Sequence, residues 1–219
     1  DLLYQNIRQP GGSTGGDNVA PTGMMLGTGV RIVSTEKTHQ QGSLIQTDNA
    51  LDLAIQGEGL FQILQPDGTF AYTRDGSFKL SPNRDLVTAG GMPLQPVINI
   101  PNDAESISIG EDGTVSYQPY GDNAEQPIGQ IQLARFVNYA GLEPIGKNLY
   151  RQTSASGAPT LTPPDNQGAG RLAQGALEAA NVNVVEEMVN MIETQRAYEI
   201  NSKAISSVDS MLRFLNQNL

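Results

Sequence analysis

The segment Gly141–Lys147, GLEPIGK, has the spacing of a phosphate-binding loop. In such a loop, backbone N–H groups cradle a nucleotide and the lysine reaches its outer phosphates. Asn148 stands where a magnesium-binding Ser or Thr is required, and Glu143 and Pro144 occupy the cradle. The following NLYRQT reads as a strand, so no helix N-terminus faces the loop. Gly57-Glu58-Gly59 and Gly27-Thr28-Gly29 begin a dinucleotide fingerprint but lack its third glycine. His39 is the single histidine, and no G-x-S-x-G accompanies it to build a nucleophilic triad. Asp67-Gly68, Asp75-Gly76 and Asp112-Gly113 suggest calcium loops, which need oxygen ligands at alternate positions and a terminal Glu. PDGTFAY and EDGTVSY place apolar residues there instead, so the pairs read as hairpin turns. A carboxylate pair for glycoside hydrolysis is a spatial feature, but 5% aromatic residues and no Trp argue against a sugar cleft. Neither a catalytic constellation nor a cofactor or metal site is expected. What the residues offer is surface for assembly.

Composition narrows the classes further. The 219 residues carry a formal charge of −10, which speaks against a sequence-independent nucleic-acid binder. Lys37 with His39, and Arg8 alone, are too sparse for a basic patch. The absence of Cys excludes a disulfide framework, a thiolate zinc site and a Cys nucleophile. No apolar run approaches the roughly 20 residues that span a bilayer, so membrane insertion is not expected. No basic n-region with an apolar h-region marks a cleavable signal.

The elements fall into two kinds. All 24 Gly and all 13 Pro precede residue 176, and the stretch from Ala176 to Leu219 has neither. The first part is therefore rich in turns and the last part free of helix breakers. Residues 1–50 read as an extended connector or arm, 51–170 as a β-rich domain, 171–182 as a return connector and 183–219 as a helix. The fold expected is mainly β and antiparallel, sandwich-like or barrel-like, with one long C-terminal α-helix. LDLAIQ (51–56) and LFQILQ (60–65) are apolar runs bounded by Gly, with a hairpin at Asp67-Gly68.

The helix carries the clearest pattern. Asn183 is a good N-cap, with Glu186 three residues on as in a capping box and Glu187 beside it in the first turn. Every seventh residue is apolar: Val184, Met191, Tyr198, Ile205, Leu212 and Leu219. A second apolar track starts at Met188, four after Val184, and returns at Val208 and Leu215, three after Ile205 and Leu212. This is a heptad-like seam with a register shift, suited to packing against other helices. The competing reading is an amphipathic helix lying on its own domain's core.

Several long strings resemble one family, the bacterial flagellar rod and hook proteins. They are QGSLIQTDNALDLAIQGEGLFQI (41–63), YTRDGSF (72–78), LVTAGG (86–91) and NVNVVEEMVNMIETQRAYEINSKAI (181–205). Within the family, YQNIRQPGG (4–12) and GTGVRIVSTEKTHQQGSL (27–44) are most similar to a rod member. The resemblance implies a structural subunit of the rod that crosses the periplasm, exported by the flagellum-specific apparatus without a cleaved signal. It implies helical polymerisation into a tube and torque transmission. The partners implied are further copies of the chain, other rod proteins, the hook protein and the surrounding basal-body rings. In that family the terminal helices pair as a coiled coil in an inner layer, and the β domain lies outside. The seam is expected to meet a helix preceding residue 1, an N-terminal piece that this chain, which starts at Asp1, lacks. The arm, with Tyr4, Gln5, Asn6, Ile7, Arg8, Gln9 and Pro10, corresponds to the element linked to a stiff rod. The alternatives are the hook protein or a proximal-rod paralogue, and, from a different class, a periplasmic carbohydrate-active enzyme.

Overall fold

The computed structural model describes residues 2–8, 24–30, 37–121 and 124–217. The chain divides into two compact units, Asp1–His39 and Gln40–Leu219. In the first, the strand Leu2–Arg8 pairs antiparallel with Met24–Val30. Tyr4 lies opposite Gly27, Gln5 opposite Leu26, Asn6 opposite Met25 and Arg8 opposite Met24. The part expected as an irregular arm is thus a two-stranded ribbon where it is described. Gln9, Pro10 and the alternating VRIVST stretch beyond Val30 lie outside the described residues.

The second unit is an antiparallel β body followed by one helix, as the turn-rich and turn-free composition requires. Its largest sheet runs Glu143–Gly146, Leu149–Arg151, Phe70–Thr73, Leu60–Leu64, Leu133–Arg135, Thr160–Thr162. Leu94–Gln95 pairs with the far end of Leu60–Leu64. A three-stranded sheet holds Ala104–Ile109, Thr114–Pro119 and Gln126–Gln130. Three two-stranded pairings complete the body: Leu53–Gln56 with Arg171–Gln174, Leu44–Gln46 with Ala176–Glu178, and Lys79–Leu80 with Leu86–Val87.

Successive residues of a strand point to opposite faces, and LFQIL is buried on both. Phe61 and Ile63 enter the main core with Leu53, Ile55, Phe78 and Val115, and Leu60 enters a second cluster with Tyr72, Phe136 and Leu142. Phe61 meets Phe78 edge-on at 5.1 Å, and Tyr72 meets Phe136 edge-on at 4.8 Å. These are the offsets that aromatic quadrupoles favour.

Two of the three Asp-Gly pairs make hairpins as expected. Gly68 and Gly113 have φ of +82° and +80°. In each turn the aspartate accepts from the amide and hydroxyl of the threonine two residues on. The Thr69 hydroxyl and then its amide hold the Asp67 carboxyl below the usual carboxylate range. For Asp112 the Thr114 amide is the larger influence and its hydroxyl the next. Asp75-Gly76 departs from the expectation, because no strand pair closes there and Gly76 lacks the left-handed backbone. Gly76 accepts from the Leu53 amide at 3.0 Å, and a Cβ on it would lie 1.6 Å from the Leu53 carbonyl oxygen. Its glycine serves a close tertiary approach rather than a turn. The GLEPIGK segment is a plain hairpin closed by Lys147 and Asn148, with φ of +53° and +59°.

Residues 171–182, read as a return connector, contain two strands, and residues 40–50, read as part of the arm, belong with the second unit. The helix α1 spans Val184–Gln217. Among the described residues, no helix is long and apolar enough to cross a membrane, and no cluster of three or more His, Cys, Asp or Glu is placed to hold a metal ion.

Two expectations follow. Gly76→Ala costs about 2–4 kcal/mol because backbone must move, whereas Gly68→Ala, with nothing within 4 Å of the added Cβ, costs only about 1–2 kcal/mol of left-handed strain; urea unfolding midpoints rank the two. Carboxyls depressed in the fold contribute stability that is present above their ordinary pKa and lost as pH falls through the folded value. NMR titration therefore finds Asp67 and Asp112 midpoints below 3.8, and their share of stability is intact at pH 5 and above.

Candidate assembly site

Helix α1 has 34 residues, about 51 Å at 1.5 Å per residue. Its start follows local chemistry. The Asn183 side chain accepts from the Val185 amide at 3.2 Å, and the Asn183 carbonyl accepts the first helical bond from Glu187 at 3.0 Å. Glu186 and Glu187 occupy the first turn, where the helix dipole favours anions. An Asp209–Arg213 pair at 3.1 Å braces the last third at i,i+4 spacing.

Every α1 residue whose side chain is described is exposed. Among its large apolar side chains, exposure runs from 48% at Ile192 to 76% at Tyr198. The reading of a helix laid on its own core is therefore corrected: the β body completes its core without α1. Val184, Met188, Met191, Tyr198, Ile205 and Val208 all stand in the open. Leu212 and Leu215 fall on the helix with side chains outside the description, and Leu219 lies beyond it.

At about 100° per residue, the exposed apolar residues cover more than the seven-residue seam. In the first third, Val185, Val189 and Ile192 widen the surface to one side of Val184, Met188 and Met191. In the last third, Val208 and Met211 widen it to the other side of Ile205. The two widened faces are centred roughly half a turn apart on an ideal helix. A single straight partner covers one of them and not both. The arrangement suits a helix embedded among several neighbours.

What positions α1 is a two-stranded neck. Leu44–Gln46 pairs with Ala176–Glu178, and Ala179 donates to the Ser43 carbonyl at 2.8 Å. Asn181 Nδ2 donates to the Gln40 carbonyl at 3.0 Å, two residues before the N-cap. Gln41 reaches back to the body, donating to the Ile55 carbonyl at 3.3 Å and accepting from the Gly57 amide at 3.0 Å. Gly175, with φ of +72°, lets the chain leave the body strand Arg171–Gln174 and enter the neck. Glu178 accepts from the Gly42 amide at 2.9 Å through one oxygen and pairs with Arg74 Nε at 2.6 Å through the other. Sequence reasoning missed Arg74 and Glu178. They lie 104 residues apart, and no local pattern links them. The single clue was that Arg74 falls inside the YTRDGSF string.

Comparison with known proteins supplies the context. Residues 54–117 match the family model described as the flagellar hook protein FlgE/F/G D1 domain, and residues 173–218 match the flagellar basal body rod FlgEFG protein C-terminal model. A flagellar basal-body rod protein FlgG of Buchnera aphidicola subsp. Schizaphis graminum is 54% identical over 99% of this chain and 84% of its own length. Proteins of the same name from Borreliella burgdorferi and Bacillus subtilis are 45% and 39% identical, over 99% and 98% of this chain and 82% of each relative. The chain belongs to the flagellar basal-body rod protein family. One family model covers part of the strands around the main core, and the other runs from the end of the body strand Arg171–Gln174 through the neck strand and along α1.

Asn183→Ala removes the side-chain acceptor at the helix start, at a cost of about 1 kcal/mol. Hydrogen exchange at the Val185 amide should accelerate about fivefold, while exchange within Leu60–Leu64 stays as in the parent chain.

Proposed function

We propose that this chain is a structural subunit of the distal flagellar rod, working by helical polymerisation into a stiff tube that carries torque from the motor to the hook. Helix α1 forms part of an inner helical layer, through Val184, Met188, Met191, Tyr198, Ile205, Val208, Leu212 and Leu215, with Leu219 following in the sequence. The β body forms the outer layer, and the ribbon bearing Tyr4, Gln5, Asn6, Ile7 and Arg8, with Gln9 and Pro10 following, braces neighbouring subunits. The partners are further copies, other rod proteins, the hook protein and the surrounding rings, reached by export without a cleaved signal. No catalytic role is assigned.

One observation carries this reading: a helix whose described side chains are all exposed, with apolar surface on both sides, in a chain whose family is that of rod proteins. Burying one Ile, Val or Met side chain is worth about 1.5–3 kcal/mol. A helix with this much apolar surface gains strongly from neighbours and gains nothing from its own body. The hook protein shares the matched D1 family model, so it is the second reading. Relatives named rod protein match the chain from end to end, which favours the rod.

Ile205→Asp and Val208→Asp test it. Each buries an unpaired charge in a formed inner layer, costing about 3–5 kcal/mol, and each leaves an exposed residue exposed in the free chain. The expected result is an unchanged melting transition of the β body with loss of incorporation into basal bodies and of swimming. Rods of normal length built from either variant would sink the proposal.

A further inference from the structure

The neck holds a charged clamp that the pairing of two short strands does not by itself require. Arg74 follows the strand Phe70–Thr73 of the largest sheet, so its backbone belongs to the body. Its guanidinium spreads over three acceptors from three segments. Nη1 donates to the Gly59 carbonyl at 2.8 Å, Nη2 to the Ile55 carbonyl at 2.9 Å, and Nε to Glu178 at 2.6 Å. Glu178 belongs to the descending neck strand, and its second oxygen takes the Gly42 amide of the ascending chain. One ion pair therefore ties the body to both strands of the neck at once. The side chains are 26% and 10% exposed, so water screens the pair far less than it screens the other ion pairs, and removing one partner strands a partly buried charge.

The surrounding packing leaves little slack. A Cβ on Gly42 would lie 1.9 Å from the Ala179 carbonyl oxygen, so the two neck chains touch backbone to backbone. Gln41 fastens the same turn to Ile55 and Gly57. Ile55 thus receives Arg74 and Gln41 on one carbonyl oxygen, at the strand that also pairs with Arg171–Gln174. Beyond Ala179, the Asn181–Gln40 bond continues the zip to the helix cap.

We propose that Arg74 and Glu178, with Gly42 and Gln41, act as positioning residues that lock the root of α1 to the β body, so that twist applied to one is delivered to the other. The mechanical meaning rests on the rod reading above; the rigidity itself does not. Arg is required rather than Lys, because an ammonium cannot hold three acceptors in one planar fork.

Because the chain has no Cys, two introduced cysteines can carry spin labels without interference. Labels at Asn83→Cys on the body and Glu186→Cys at the helix start report their separation by pulsed electron resonance. The parent chain is expected to give a narrow distance distribution. Arg74→Met should broaden it at least about twofold, Arg74→Lys should broaden it partly, and exchange at the Gly42 amide should rise roughly ten- to hundredfold in Arg74→Met. The β body should stay folded with a lowered melting midpoint, because the change also removes the donors to the Gly59 and Ile55 carbonyls; exchange within Leu60–Leu64 should stay slow. Glu178→Gln, which keeps the shape and the acceptor for Gly42, should retain the slow exchange there yet broaden the distribution. A parent distribution as broad as that of Arg74→Met, or unchanged width and exchange in both Arg74 variants, overturns the clamp. In cells lacking their own copy, the full-length parent chain should restore rods and swimming; failure there counts against the rod reading alone. With that control positive, Arg74→Met should build rods but lose speed as the medium is thickened. Equal speed under load, or no rods at all, overturns the mechanical role.

Discussion

The architecture depends on the pairing of one short stretch near the start of the second unit with another about 130 residues later. Leu44–Gln46 and Leu53–Gln56 meet Ala176–Glu178 and Arg171–Gln174 in register. These two ladders close the body, since the strands between them cannot drift once both ends are held. They also decide where the chain enters and where it leaves. Residues 40 and 181 are hydrogen-bonded neighbours, so α1 starts beside the incoming chain. Closing so long a loop costs only modestly more entropy than closing a short one. The stability comes from Leu53, Ile55 and Leu172, all buried in the main core. Gln174 extends the closure sideways, donating to the Ala50 and Ile107 carbonyls and accepting from the Ile109 amide. The three-stranded sheet is thereby fastened to the same seam.

From that seam the chain divides its burial unequally. The body satisfies itself, with apolar clusters on both faces of its main sheet. The helix satisfies only its backbone. An isolated helix owes little to propensity, and most helices are held by the packing of an amphipathic face. Helix α1 has its cap, its dipole-matched acids and one i,i+4 ion pair, each worth at most about 1 kcal/mol. Its apolar side chains remain in water. A helix of this kind keeps its largest unclaimed stabilisation for association.

How much of this was legible in the sequence depends on the range of each interaction. The helix was legible because its cap and its seven-residue repeat are written within a few residues of one another. The hairpins at Asp67-Gly68 and Asp112-Gly113 were legible for the same reason. Asp75-Gly76 carries the same dipeptide yet answers to Leu53, across the core, and so misled. The Lys147-Asn148 turn was invisible because both residues adopt a left-handed backbone without glycine. The body strand and the neck strand within 171–182 looked like a connector because three- and four-residue strands have almost no periodicity of their own. The apolar surface of α1 was read as a single stripe, since a heptad template selects every seventh residue and passes over Val185, Val189 and Ile192. The ribbon at Leu2–Arg8 was hidden because its partner begins only at Met24, beyond a Gly-rich stretch that reads as loop.

The close contacts of this chain follow the placement of its charge and its glycine. Most of its ion pairs are open to solvent and contribute little; Arg151–Glu143 and Arg171–Asp165 are examples. The sheltered pair, Arg74–Glu178, sits where two chains must cross from body to helix. Glycines without positive φ mark points where backbone presses on backbone: Gly42 at Ala179, Gly76 at Leu53, Gly141 at Ala155 and Gly170 at Gln56. The points at Ala179, Leu53 and Gln56 lie against the seam that closes the body. The turn-rich composition of the first 175 residues therefore has a second meaning beside punctuation. Some of its glycines make bends, and others remove side chains where backbone meets backbone.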